Sequence, residues 1–118
     1  MPDLEASYRK RNNSYPSNNA TIGWVWGLVL AALAPDRTVE LMRRAAAFGD
    51  HRVLCGVHWE SDVVAGRTVG AALFAQLQAN DEFNADAAAA RRELRAIRDS
   101  ADRPRPDCAL EAAALGSS

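Results

Sequence analysis

Arg52, His58 and Asp62 stand in the order R-x5-H-x3-D within the stretch "DHRVLCGVHWESD". An imidazole, a carboxylate four residues on and a guanidinium are the parts of a histidine nucleophile aimed at phosphorus; taken alone, a His–Asp pair on a helix is more often a surface or core hydrogen bond, and the anion-suited helix start upstream is what favours the chemistry. On a helix, Asp62 lies one turn after His58, where its carboxylate selects one imidazole tautomer and favours the imidazolium. Arg52, reaching in from the preceding loop, supplies a planar fork of donors that matches two phosphate oxygens. A second stretch, "SYPSNNATIGW" from Ser14 to Trp24, sets Ser17, Asn18 and Asn19 where helical periodicity begins. A helix start gathers unpaired N–H groups and the positive end of the dipole, which suits an anion.

These residues need helices to hold them. Residues 1–16 are polar and aperiodic and read as a loop or arm, with Pro16 fixing its own φ and pressing Tyr15 toward an extended backbone. The first helix is expected from near Asn19 to just before Pro35. Its residues Ile22, Trp24, Val25, Trp26, Leu28, Val29, Leu30 and Leu33 surround the axis on most sides, which predicts burial on more than one face. Gly23 and Gly27 permit a close crossing there. A second helix opens at Pro35 and Asp36 and weakens near Gly49, followed by an irregular piece from Asp50 to Gly56. A third runs from about His58 to Ala79, and a fourth, capped by Asn80 or Asp81, continues to about Ser100 with a charged, solvated face. Pro104 and Pro106 break it, and Cys108 to Leu115 makes one last short helix. No strand pattern or repeat interrupts this series, so the fold class is all-α.

The chain of 118 residues supports one domain. A net charge of -1 argues against a nucleic-acid partner, and the one tight basic cluster, Arg9, Lys10 and Arg11, reads as a solvated arm. The N-terminus MPDLEASYRKRNN has no apolar core of a signal peptide, so the chain is cytosolic or its leader lies outside it. The apolar run Ala20 to Ala34 is too short for a membrane span. Cys55 and Cys108 allow one internal pairing, closing a loop of roughly 53 residues worth up to ~4 kcal/mol, yet their number alone reads more simply as two buried free thiols. A metal held by His51, Cys55 and His58 would need regular helix through Gly56, so no metal is assigned.

Together, "SYPSNNATIGW" and "HRVLCGVHWESDVVAGR" resemble the second half of the bacterial class A non-specific acid phosphatases, within the phosphatidic acid phosphatase type 2 and vanadium haloperoxidase superfamily. The resemblance runs from about Ser14 to Ala79 and less specifically to Leu115. It implies a helical bundle shortened at its N-terminus: one partial domain over 1–118, with an arm at 1–16, a helical core at 17–100 and a tail at 101–118. It also implies that His58 is the nucleophile that becomes phosphohistidine, that Asp62 orients it, and that Arg52 binds phosphate oxygens. Pro16 and Ser17 match the start of the family's Pro-Ser-Gly-His motif, whose Ser and neighbouring N–H groups bind phosphate. Asn18 takes the Gly position and Asn19 the position of the His that protonates the leaving oxygen. An amide cannot give up a proton near neutral pH.

The family's first motif, a Lys followed by Arg-Pro, is not found upstream: Lys10 and Arg11 precede Asn12, and the Arg-Pro pairs are Arg103-Pro104 and Arg105-Pro106. The expectation is therefore an impaired phosphomonoesterase that takes a phosphate monoester or inorganic phosphate and needs no cofactor. The alternative is a non-catalytic relict that binds phosphate or serves as an interaction subunit. Vanadium-dependent halide oxidation is set aside, because "CGVHW" is a class A feature. The resemblance further implies a periplasmic or secreted protein and a Cys55–Cys108 bridge. The all-round apolar first helix predicts a homo-oligomer or aggregation.

Overall fold

The computed structural model describes residues 14–101 and 107–116; the basic cluster at 9–11 and the Arg-Pro pairs at 103–106 lie outside them. The described chain is built from five α-helices with no strand among the described residues, which is the all-α class expected. Helix α1 spans Asn18–Leu33, with the Ser17 hydroxyl accepting from the Ala20 N–H at its start. It ends where Ala34 donates back to Leu30, and Pro35 then begins a 3-10 turn, Pro35–Arg37. Helix α2 covers Thr38–Leu54, α3 Glu60–Gln78, α4 Asp81–Asp99 and α5 Cys108–Gly116. Asn80 caps α4, its side-chain oxygen accepting from Phe83 N at 2.8 Å.

Two boundaries depart from the sequence reading. Helix α2 does not weaken at Gly49 but runs on to Leu54, so Arg52 sits in its last turn and not in a loop. Gly49 is there for packing: a Cβ on it would lie 3.0 Å from Val63 and 3.2 Å from the Arg67 guanidinium. The neighbouring Asp50 accepts from that same guanidinium at 2.7 Å, which fastens the helix where composition predicts its end. Helix α3 in turn starts at Glu60, leaving His58 in the connecting segment.

Helix α1 lies between α2 and α3, and glycines set both crossings. It runs antiparallel to α2, with Gly23 against Phe48 and Gly27 against Ala45 and Met42, as the Gly23–Gly27 spacing predicts. It runs parallel to α3: Gly66 meets Ser17, Ala20 and Thr21, and Gly70, one turn on, meets Thr21 and Trp24. Arg67, between those two glycines, donates to the Ala46 carbonyl at 2.8 Å and lies 5.5 Å over the Trp24 ring, so it ties α3 to both neighbours. Helix α4 closes the far end. Arg91 donates to the Ala32 carbonyl at 3.0 Å, and Arg98 grips Asp36 with two hydrogen bonds of 3.0 and 2.6 Å. Helix α5 rests on α2 through an Arg44–Glu111 ion pair of 3.0 Å.

The buried apolar residues are small: Ala20, Ala31, Ala34, Ala45 and Val63. Small residues let helix backbones approach closely, and the larger side chains are left at the edges. Ile22, Trp26 and Leu30, spaced by one turn each, form an outer stripe on α1 with 56%, 61% and 40% exposure. Two faces of α1 are covered as expected, and the third is bare in this chain. Cys55 and Cys108 are free and exposed, neither bridged nor buried. The Arg44 contact seats α5 beside the middle of α2, roughly 16 Å along the axis from Cys55, whereas a bridge requires Cα atoms within about 7 Å. Among the described residues no helix is long and apolar enough to cross a membrane.

Candidate active site

The start of α1 and the start of α3 are bound to each other. Ser17 N donates to the Asp62 carbonyl at 2.9 Å, and the Ser17 carbonyl accepts from both Thr21 N and Thr21 Oγ1 at 3.0 Å. Gly66 makes this possible, because its bare backbone sits where a side chain would strike the Ser17 carbonyl. The link brings the two sequence motifs to one end of the bundle.

Asp62 is the third residue of α3, and its Oδ2 accepts from Trp59 N at 3.0 Å. A carboxylate here caps the helix and complements its dipole. The same Oδ2 lies 3.3 Å from His58 Nδ1, with 14% of the His58 side chain and 5% of the Asp62 side chain exposed. The four-residue spacing therefore works without helical backbone at His58: the chain bends before α3 and Asp62 reaches back. His58 N is in turn held by the Arg52 carbonyl at 3.2 Å, which fixes the nucleophile candidate to the end of α2.

Ser14 completes the group. Its hydroxyl donates to Asp62 Oδ2 at 2.6 Å and stands 3.3 Å from His58 Nδ1. The Ser14 hydroxyl, then the Trp59 amide, then His58 hold the Asp62 carboxyl below its ordinary value of 3.8, against the opposing effect of desolvation. An ionised Asp62 only accepts hydrogen bonds. The nitrogen facing it, Nδ1, can bond to it only as the donor, and in that tautomer the lone pair is on Nε2. The sequence reading overlooked Ser14, which it placed in the arm. Its one available signal was a hydroxyl two residues ahead of Pro16 in the quoted motif.

Other expected residues take more varied places. Ser17 is 0% exposed, its Oγ occupied in capping α1, so an anion at this end would meet backbone N–H groups before that side chain. Asn18 is exposed and Asn19 half-buried, and neither side chain makes a hydrogen bond among the described residues. Arg52 is half-buried, and its Nε is buried with no partner, an orphaned donor of the kind an anion satisfies. His51 is exposed on α2, and among the described residues no three His, Cys, Asp or Glu side chains gather to hold a metal ion. Tyr15 and Pro16, joined by a cis peptide bond, turn toward an open groove of about 690 Å³ shared with Val64 and Val69. None of the candidate catalytic side chains lines that groove.

The all-α bundle sets a His–Asp pair beside a capped helix start, and the comparison with known proteins gives the family. The sequence pattern of the PAP2 superfamily matches residues 2–81, and the chain belongs to that superfamily. It is 48% identical over 93 residues to a protein named non-specific acid phosphatase from Salmonella typhimurium, covering 79% of this chain and 37% of that one. It is 42% identical over 94 residues to the acid phosphatase of Zymomonas mobilis, covering 80% and 36%. A non-specific acid phosphatase of Providencia stuartii is 42% identical over 73 residues, 62% of this chain and 29% of that one. The chain spans just over a third of the length of the first two relatives.

Proposed function

We propose that this chain is an acid-phosphatase-like phosphomonoesterase unit working through a phosphohistidine on His58 Nε2. The observation that carries the reading is the His58 Nδ1 contact with an ionised, buried Asp62, which leaves Nε2 as the free nucleophilic atom. In the first step the Nε2 lone pair bonds to phosphorus while the P–O ester bond breaks, its electron pair leaving on the ester oxygen. Water then attacks phosphorus and gives up one proton to the solvent, the N–P bond breaks, and that pair returns to Nε2. Arg52 and the N–H groups of Asn18 and Asn19 bind the non-bridging oxygens, and Asp62 stabilises the imidazolium. A periplasmic or secreted setting suits this reading, as does a phosphate monoester substrate.

The leaving oxygen has no protein acid. By the resemblance, Asn19 takes the position of the family's general-acid His; its amide holds its protons, so in this reading an alkoxide must draw its proton from water. That observation favours a second reading, a non-catalytic relict that still binds phosphate. Turnover of p-nitrophenyl phosphate and of an alkyl phosphate, measured in parallel, separates the two. A nitrophenolate leaves without a proton and should be released slowly, whereas the alkyl ester should be nearly inert. Asn19→His combined with Asn18→Gly should raise the alkyl rate by about 10²- to 10⁴-fold, and the aryl rate far less. Equal gains on both substrates refute the role of Asn19. Aryl turnover that survives His58→Ala refutes the nucleophile, and phosphate binding without any turnover carries the relict reading.

A further inference from the structure

Three donors or donor-acceptors meet on one oxygen of Asp62, and they do not share it equally. The Ser14 hydroxyl holds Oδ2 at 2.6 Å and Trp59 N at 3.0 Å, while His58 Nδ1 stands 3.3 Å away. A strong charge-assisted bond from an imidazole to a carboxylate is shorter than that, about 2.7–2.9 Å. Ser14 Oγ is equally distant from Nδ1, at 3.3 Å. Because its one proton is committed to Asp62, that oxygen has lone pairs to offer, so a proton on Nδ1 meets two acceptors at the same distance, Ser14 Oγ and Asp62 Oδ2.

We infer that Ser14 is a positioning residue, a hydroxyl bridge that accepts a hydrogen bond from Nδ1–H of His58 while donating its own O–H to Asp62. The bridge performs two tasks. It adds a second acceptor for Nδ1–H, so the tautomer with Nε2 free does not depend on a long His–Asp contact alone. It also neutralises part of the Asp62 charge, which keeps the carboxylate from drawing the ring away from the site. No covalent change occurs at Ser14: the hydroxyl keeps its proton throughout, and only hydrogen bonds strengthen when His58 becomes positively charged. The consequence for the reaction rests on the function proposed above; the tautomer itself does not.

The test compares Ser14→Thr, which keeps the hydroxyl, with Ser14→Val, which has nearly the same shape without it. Ser14 is exposed, and circular dichroism with a melting curve confirms that each variant is folded. The ¹⁵N resonances of the imidazole of neutral His58 report which nitrogen is protonated. The wild type and Ser14→Thr should show Nδ1–H predominating, and Ser14→Val should shift population to Nε2–H. On p-nitrophenyl phosphate Ser14→Val should lose about tenfold in kcat, equivalent to about 1.4 kcal/mol, with KM little changed, and Ser14→Thr should recover most of it. Unchanged tautomer populations in a folded Ser14→Val overturn the inference. A shifted tautomer in a chain that turns over no substrate supports the Ser14 bridge and counts against the proposed activity instead.

Discussion

Replacing Gly66 by Ala puts a single methyl group between α3 and the start of α1. The new Cβ would lie 2.6 Å from the Ser17 carbonyl oxygen, 3.1 Å from the Ala20 Cβ and 3.2 Å from Thr21 N. A carbon and a carbonyl oxygen settle at about 3.3–3.6 Å, so the two backbones must part by roughly 0.7 Å. The Ser17 N–Asp62 O bond, 2.9 Å long, stretches past hydrogen-bonding range under the same displacement. Overpacking costs about 1–3 kcal/mol and the lost bond about 1, while Ala in place of Gly inside a helix returns about 1. The net is roughly 2 kcal/mol of destabilisation, a fall in Tm of about 8 °C for a domain of this size. Thermal and urea unfolding followed by circular dichroism at 222 nm measure it. A Gly66→Ala protein as stable as the wild type, or more so, would show that helix propensity outweighs the crossing and that α1 and α3 are not held at this spacing.

Two further predictions concern the periphery. The hydrogen bonds from Arg98, above all, hold the Asp36 carboxyl below 3.8, so the pair adds stability above the unfolded-state pKa and loses it as pH falls through the lower folded value. Asp36→Asn should therefore flatten the acid side of a Tm-against-pH profile while changing Tm near neutral pH only slightly, because the pair is exposed; a steeper acid limb in the variant would contradict the assignment. The bare stripe of Ile22, Trp26 and Leu30 should drive self-association at high concentration, and Trp26→Glu should shift the sedimentation profile toward monomer. A wild-type chain that stays monomeric throughout would count against that face as a sticky one.

The helices were legible because their signals are local. Pro35 ends α1, Asn80 opens α4, and the apolar spacing of α3 needs no knowledge of what packs beside it. Gly49 misled for the opposite reason: its value lies in Val63 and Arg67, on another helix, and a lone Gly looks the same in sequence whether it ends a helix or seats a neighbour. The R-x5-H-x3-D spacing leads to a helical turn between His58 and Asp62, whereas in the structure a bend and a cap bring the two side chains to 3.3 Å. Ser14 was invisible because its partners are 44 and 48 residues away, and a serine in a polar segment has no periodicity to mark it. The cysteines show the limit of inference by family: a resemblance suggests a bridge, but the seat of α5 on α2 decides whether the thiols meet.

The parallel course of α1 and α3 sets two like poles side by side. Each helix start carries about half a positive charge, and antiparallel neighbours would cancel such ends where these add. Helix α3 offsets its share with Glu60 and Asp62, but α1 has no acidic residue in its first turn. The antiparallel α2 brings its negative C-terminal pole to the same end, so the start of α1, without a carboxylate of its own, is held there by that pole, by glycine-tight packing and by the Ser17–Asp62 bond. In such a frame the open start of α1 is a seat of residual instability, and a carboxylate introduced into its first turn should make the bundle sturdier without touching its packing.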